Sequence, residues 1–293
     1  MDTNPHAHTD TLTTLAARFF PPVSNDDGLP EAAVAAAEAR LGLSLPARLR
    51  ALYREFGLRD DLLRASDRLF ALEFLSVSDG VLVFLSDGPG LRYFGVRAED
   101  VAKDDAPVVV SGSGGAAAWK PARRALSDAL RSLLLVNAAN GGMPWHGAAE
   151  TPSESLDALG AEWERVGGAG GGDAAFYLRD GRVVHTVPAK KGKILVCAGA
   201  RTAGALHELS ETLGTPWAEK RRRPDAPPEA DEGLVDEHAD ARRTLRQRAV
   251  LAASAAEGGA ACCASCGGLL RTWADTARGV CGLCGHALPA TFA

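Results

Sequence analysis

The chain has 293 residues, 46% hydrophobic and 24% charged, with a formal net charge of −5. That is about two domains' worth of chain, long enough for a sizeable core. The acidic balance argues against a general polyanion binder but leaves room for a local basic patch, and no apolar run approaches the ~18–20 residues of a membrane span. The first ten residues, MDTNPHAHTD, lack the basic start and apolar stretch of a secretory signal, which makes the cytoplasm the expected compartment. Cysteine usage agrees: five of the six lie within residues 262–284, and Cys197 stands alone in the strand-like KILVCA. A secreted disulfide scaffold would be short and would spread its cysteines through the fold.

Residues 1–28 are polar and contain Pro21-Pro22, so they are expected to form a flexible arm with a helical turn at Leu12–Phe20. Pro30 opens a helix in which Val34, Ala37 and Leu41 share a face, and Gly42 ends it. Leu45-Pro46 opens a second helix. There Leu49, Leu52, Tyr53 and Phe56 follow the i, i+3, i+4, i+7 pattern, and Gly57 stops it. The charged residues off that stripe read as a solvated face.

Ala71–Val96 reads as a meander of three short strands, broken at Asp79-Gly80 and at Asp87-Gly88-Pro89-Gly90. Val81–Leu85 is apolar without interruption. Such a run between turn signals suits a strand covered on both faces, with a buried helical segment as the alternative. Asp105–Val110 reads as a further strand, followed by a glycine-serine loop. Pro121 and Ser127 lead into a helix with Leu126, Leu130, Leu133 and Leu134 in phase, ended by Asn140-Gly141-Gly142. A fourth helical pattern spans Ser155–Val166, with Leu156, Leu159, Trp163 and Val166 in phase.

Gly167–Gly172 is almost entirely glycine and marks a joint. Residues 168–219 then read β-β-β-α, with Asp180-Gly181 as a hairpin turn and Thr202 as a helix cap. With few apolar residues of its own, this piece is expected to extend the first sheet or pack on it. From 220 the composition becomes charged and proline-rich, and residues 220–258 read as a linker and helix. The basic run Lys220–Arg223 beside the acids Asp225–Glu237 reads first as local neutralisation and second as a nucleic-acid patch.

Residues 259–293 carry the strongest chemical signal. Cys263-x2-Cys266 and Cys281-x2-Cys284 stand fourteen residues apart, the pattern of a zinc ribbon. Each CxxC turn aims two sulfurs at one point, and four thiolates close the tetrahedron. The expected cofactor is therefore one structural Zn2+ ion with no open catalytic position. Cys262 can compete with Cys263, and His286 can replace Cys284. The ribbon has Arg271 and Arg278 as cations, Asp275 against them and Trp273 as its aromatic, which is poor equipment for nucleic acid.

Catalytic patterns are missing. No GxxxxGK[ST], HExxH or GxSxG occurs, and no His-x-Glu precedes the CxxC. Gly112-Ser-Gly114-Gly-Ala-Ala117 imitates a dinucleotide turn, but Trp119-Lys120-Pro121 interrupts where a helix should open, and no acid follows at the required distance. His146 reads as a surface loop residue and Cys197 as a small core residue. No catalytic residue is assigned, and the chain is expected not to be an enzyme.

Residues 30–140 resemble the SUKH superfamily, which includes yeast cell-wall synthesis regulators and many bacterial immunity proteins. The likeness is carried by Glu38 with Leu41-Gly42, by Leu45-Pro46, by Asp79-Gly80-Val81-Leu82-Val83-Phe84 with Gly90–Val96, by Asp105-x-Pro107-Val108 and by Leu126, Leu130 and Leu133-Leu134-Leu135. The resemblance implies an α+β fold, a mostly antiparallel sheet flanked by helices, over residues 29–167. It also implies a non-catalytic protein-binding role, such as an immunity or adaptor protein that neutralises or regulates a partner, a toxin among the candidates, by direct binding. The long C-terminal extension departs from the short members of the family. Tyr93, Trp119 and Trp145, in or beside loops, are the candidate partner contacts, with edge-of-core aromatics as the alternative. A nucleic-acid-associated regulator using the ribbon and Lys220–Arg223 is the second reading. Purified protein is expected to carry one zinc ion per chain, and Cys281→Ser to make residues 259–293 protease-sensitive. Metal-free protein with an unchanged digestion pattern rules the ribbon out.

Overall fold

The computed structural model describes residues 11–88, 92–112, 118–167, 174–189 and 192–223. The ribbon residues Cys263, Cys266, Cys281 and Cys284, and the linker and helix expected beyond Arg223, lie outside the described residues.

Four helices open the chain: α1 (Leu12–Phe19), α2 (Glu31–Leu41), α3 (Ala47–Phe56) and the short α4 (Asp60–Leu63). Residues 11–28, expected as part of a loose arm, are instead packed. Thr11 caps α1 by accepting a hydrogen bond from Thr14 N at 3.2 Å, and Leu15, Phe19 and Phe20 are 1%, 1% and 2% exposed. Leu12, Leu15, Ala16 and Phe19 follow helical spacing, and this stripe outweighs the polar residues around it. Gly42 ends α2 in the left-handed region, at φ 62°. The expected stripe of α3 is buried at all four positions.

The first sheet contains β1 (Arg68–Leu69), β2 (Ser76–Ser78), β3 (Val81–Ser86), β4 (Arg92–Arg97), β5 (Pro107–Gly112) and β6 (Lys120–Ala125). All pairs are antiparallel, in the order β1-β3-β4-β5-β6, with β2 also on β3. Asp79 and Gly80, at φ 51° and 71°, form the tight turn that joins β2 to β3. β3 is buried along its whole length, as its unbroken apolar run implies. Gly95 is fixed by close packing, since a Cβ there would lie 2.4 Å from Val81 Cγ1 and 2.6 Å from Leu82 O. β5 is followed by the antiparallel β6, so the strand-to-helix turn of a dinucleotide site is not formed there. The helix α5 (Leu126–Asn137) comes next and widens into a last turn at Ala138–Gly142.

The second half forms a sheet of its own. β7 (Trp145–Pro152), β8 (Glu164–Gly167), β9 (Ala175–Arg179), β10 (Arg182–Pro188), β11 (Lys193–Ala200) and β12 (Glu219–Arg222) lie antiparallel in the order β12-β7-β11-β10-β9-β8. The expected Asp180-Gly181 turn joins β9 to β10, and Thr202 caps α6 (Ala203–Thr212). The expected helix over Ser155–Val166 is replaced by a short 3-10 segment (Ser153–Leu159) and β8. Its four apolar residues share a helical phase but serve different cores. Leu156, Leu159 and Trp163 pack with Val184, Val196 and α6, whereas Val166 packs against the main core. Gly160, at φ 67°, makes the break. Lys220–Arg222, expected at the start of a linker, joins Glu219 in the edge strand on β7.

The coarse class is therefore α+β with antiparallel sheets and helices. The main core gathers α1, α2, α3, α5 and β3, and the second sheet joins it through Phe176, Leu178 and Val183. A buried charge network ties the halves. Arg59, 4% exposed, donates two hydrogen bonds of 2.8 Å to Asp61 and one of 3.3 Å to Asp27. Arg223, which follows β12, lies 3.4 Å from Asp61 and donates to Gly142 O. Burial pushes the Asp61 carboxyl up, but the Arg59 and Arg223 guanidiniums more than offset this, and it sits below its usual range. A depressed acid stabilises the fold fully above its unfolded pKa, and that stabilisation is lost as pH falls through the folded value. Stability is thus expected to fall below about pH 4, and Asp61→Asn to flatten that fall. Arg59→Met should cost about 3–5 kcal/mol, because it leaves buried carboxylates uncompensated. Urea titration over a pH series checks both.

Candidate functional site

Two hairpin connections, after β3 and after β5, leave the first sheet at the same end. Antiparallel register sets two rows of side chains there. Arg68, Ser86, Tyr93 and Ser111 lie opposite one another across β1, β3, β4 and β5. Directly opposed residues share a face, so Tyr93 stands between two small buried serines. Its ring is half-buried and lies 6.3 Å from Phe70 at 55°.

The next row is charged. Asp87 Oδ1 accepts from Arg92 N at 3.1 Å and Oδ2 accepts from Arg92 Nε at 2.9 Å, which closes the β3–β4 connection. Asp87 is 6% exposed, while the Arg92 side chain is 63% exposed. Asp67 accepts from Gly88 N at 3.0 Å. Burial raises the Asp67 pKa above the ordinary carboxylate value and nearby Asp87 adds to this, against the Gly88 bond and the Arg124 and Arg92 charges. The Arg124 guanidinium lies 4.6 Å from the Phe94 ring centroid and that of Arg92 lies 5.9 Å from it. Burial lowers the Arg124 pKa, partly opposed by Asp67 and Asp128. Arg123, exposed on the edge strand β6, holds φ 54° at the irregularity where the β5–β6 register shifts. Such a bulge re-aims side chains. Among the described residues, Arg68, Lys120 and Arg123 have no carboxylate within ion-pair distance.

The expected contact residues divide. Tyr93 and Trp119 fall at this end, since Trp119 is half-buried and directly precedes β6, whose ladder ends on the Val110–Lys120 pair. Trp145 does not. It opens β7 opposite Ala200 and Arg222 and packs against the second core, which fits the edge-of-core alternative. Asp67, Asp87, Arg92 and Arg124 carried no motif. Only the Asp87-Gly88 turn signal pointed near them, because strand register and the bulge in β6 assemble the group.

A second polar cluster brings together a histidine, a cysteine and an asparagine. His185 lies opposite Cys197 on β10 and β11, and its Nδ1 is 3.4 Å from Asn140 Nδ2. The imidazole stacks on Phe176 at 4.7 Å and 17°, and burial pushes its pKa down to about 4. Cys197 is 9% exposed and serves as the expected small core residue. Among the described residues, no group of three or more His, Cys, Asp or Glu side chains is placed to hold a metal. No family model, curated protein or solved structure matches the chain.

His185 gives a pH test. Its depressed pKa means the neutral ring is favoured in the fold, and the stabilisation is full above the unfolded value of 6.5. Wild-type stability is expected to decline as pH drops from 6.5 to about 4. His185→Phe should flatten the slope in that interval, measured as the urea midpoint against pH.

Proposed function

We propose that the chain is a non-catalytic protein-binding module of SUKH type, an immunity or adaptor protein that neutralises or regulates a partner by covering its surface. A toxin fits the role of partner. The observation that carries the reading is the loop end of the first sheet. Half-buried Tyr93 and Trp119 stand there with exposed Arg68, Arg92, Lys120 and Arg123. Tyr, Trp and Arg are the residue types that dominate interface energetics, and a half-buried aromatic on a framed strand loses little freedom on binding. The arginines without carboxylate partners favour a partner surface rich in Asp and Glu.

A C-terminal zinc ribbon on Cys263, Cys266, Cys281 and Cys284 would add a metal-stapled terminus, and the cytoplasm is the compartment in which those thiols stay reduced. The nucleic-acid alternative draws less support. Arg223, one of its four cations, is drawn onto Asp61, and the whole chain is acidic. No described helix is long and apolar enough to cross a membrane.

The test is affinity capture from the native cell, with full-length protein as bait. A protein partner is expected. Lys120→Glu and Trp119→Ala should each weaken its binding by at least about tenfold without shifting the melting temperature. Capture of no protein, or capture unaffected by these substitutions, overturns the assignment. Salt-sensitive DNA or RNA binding that disappears on deleting residues 220–293 favours the alternative.

A further inference from the structure

Three cations converge on one aromatic ring, Phe94, at the loop end of the first sheet. Phe94 lies opposite Val110, and Val110 lies opposite Lys120, so Lys120 shares the face and the row of Phe94 from the edge strand β6. Arg92 stands two residues before Phe94 and therefore on the same face, with its guanidinium 5.9 Å from the ring centroid. Arg124 comes closest, at 4.6 Å. It reaches the ring because β6 advances from Pro121 to Ala125 while β5 covers only Pro107 to Val109, and the surplus residues re-aim the strand.

Arg92 is engaged, since it donates to Asp87 at 2.9 Å. Arg124 is not. It is half-buried, and among the described residues it neither donates a hydrogen bond nor has a carboxylate within ion-pair distance. Burial weighs most against its charge and Arg92 adds to this, while Asp67 and Asp128 oppose both from beyond ion-pair distance. Asp67 is itself held by Gly88 N. The strand favours an anion all the same, because β6 carries Lys120, Arg123 and Arg124 and no acid. A cation on a solvated face needs no partner but water. A guanidinium held against a ring, partly out of water and with its planar fork of donors unfilled, is instead pre-organised for a planar anion.

We propose that Arg124 is the anchor of the partner-facing surface, where a Glu or Asp side chain of the partner docks bidentately on the guanidinium that Phe94 supports, with Lys120 beside it. A carboxylate matches the fork with two parallel hydrogen bonds, and the ring holds the fork in place. Lysine at this position would keep the charge and lose both features. The inference rests on the protein-binding reading and names the chemistry by which that surface selects its partner.

The experiment is titration of the full-length protein with a capped hexaglutamate peptide at low ionic strength, followed by the Arg124 Nε–H and backbone amide resonances. Saturable shifts are expected at Arg124, Phe94 and Lys120, with a Kd of about 1 mM or tighter. Arg124→Lys should weaken binding at least about tenfold while the amide spectrum keeps its native dispersion, and Arg97→Lys, at the far end of β4, should leave it unchanged. The partner captured from the cell should show the same dependence on Arg124. Shifts that bypass Arg124, Arg124→Lys protein that binds as tightly as wild type, or a hexathymidylate strand that binds as well as hexaglutamate would overturn the proposal. Capture of no protein partner, with the hexaglutamate result intact, would remove the protein-binding reading and leave the carboxylate site standing.

Discussion

A single buried guanidinium, that of Arg59, is the interaction on which the arrangement of the two halves depends. It reaches Asp27 in the loop after α1 and Asp61 in α4, and Asp61 in turn meets Arg223 at the end of the second sheet. Three segments far apart in sequence are therefore fixed by one set of charges. Charges buried without partners cost several kcal/mol each, so arrangements that leave any of them unpaired are disfavoured. An apolar cluster of the same volume could supply comparable stability, but it would accept many registers. The backbone has been cleared for the contact. A Cβ on Gly142 would lie 2.3 Å from Asp61 O, so glycine lets the last turn of α5 approach α4. Asn137 completes the joint by accepting from Ser66 N and donating to Leu62 O, both at 2.9 Å.

What the sequence disclosed follows the range of the forces involved. Asp79-Gly80 and Asp180-Gly181 form the expected turns because a two-residue hairpin requires backbone that those residues adopt locally. The stripe of α3 and the burial of β3 follow from period and composition. The second sheet was only half legible. β9, β10 and β11 announce themselves, but β7, between β12 and β11, reads Trp-His-Gly-Ala-Ala-Glu-Thr-Pro and has no strand pattern. It is a strand because β11 and β12 supply its hydrogen-bond partners. The adjacent Gly199 permits close packing as well, since a Cβ there would lie 2.1 Å from Ala138 O. Non-local pairing of this kind leaves no periodic trace. The same holds for Leu156, Leu159, Trp163 and Val166, whose helical spacing is satisfied by two cores on opposite sides of a sheet.

The candidate surface was legible to a similar degree. Tyr93 and Trp119 could be marked as aromatics beside loops, yet the same rule marked Trp145, which sits in another core. Sequence proximity to a glycine does not say which end of which sheet a residue reaches; register does. Arg124 shows this most clearly. It lies in Pro121-Ala-Arg-Arg-Ala125 without any motif, and it reaches Phe94 because β6 takes extra residues between its pairings with Pro107 and Val109.

The distribution of cations carries the functional argument further than any one residue. The chain is acidic overall, and many of its arginines are spent internally. Arg50 and Arg54 meet Glu31, Arg18 meets Glu164, Arg64 meets Asp60, and Arg182 meets Glu208. Each such pair cancels its own field within a Debye length of about 8 Å at physiological salt. Arg68, Lys120 and Arg123 on the first sheet and Arg165 and Lys193 on the second are not cancelled in this way among the described residues. An acidic protein that leaves cations unpaired at two places presents local fields opposite in sign to its net charge. Non-specific nucleic-acid binding depends on long-range attraction and counter-ion release, which the net negative charge opposes.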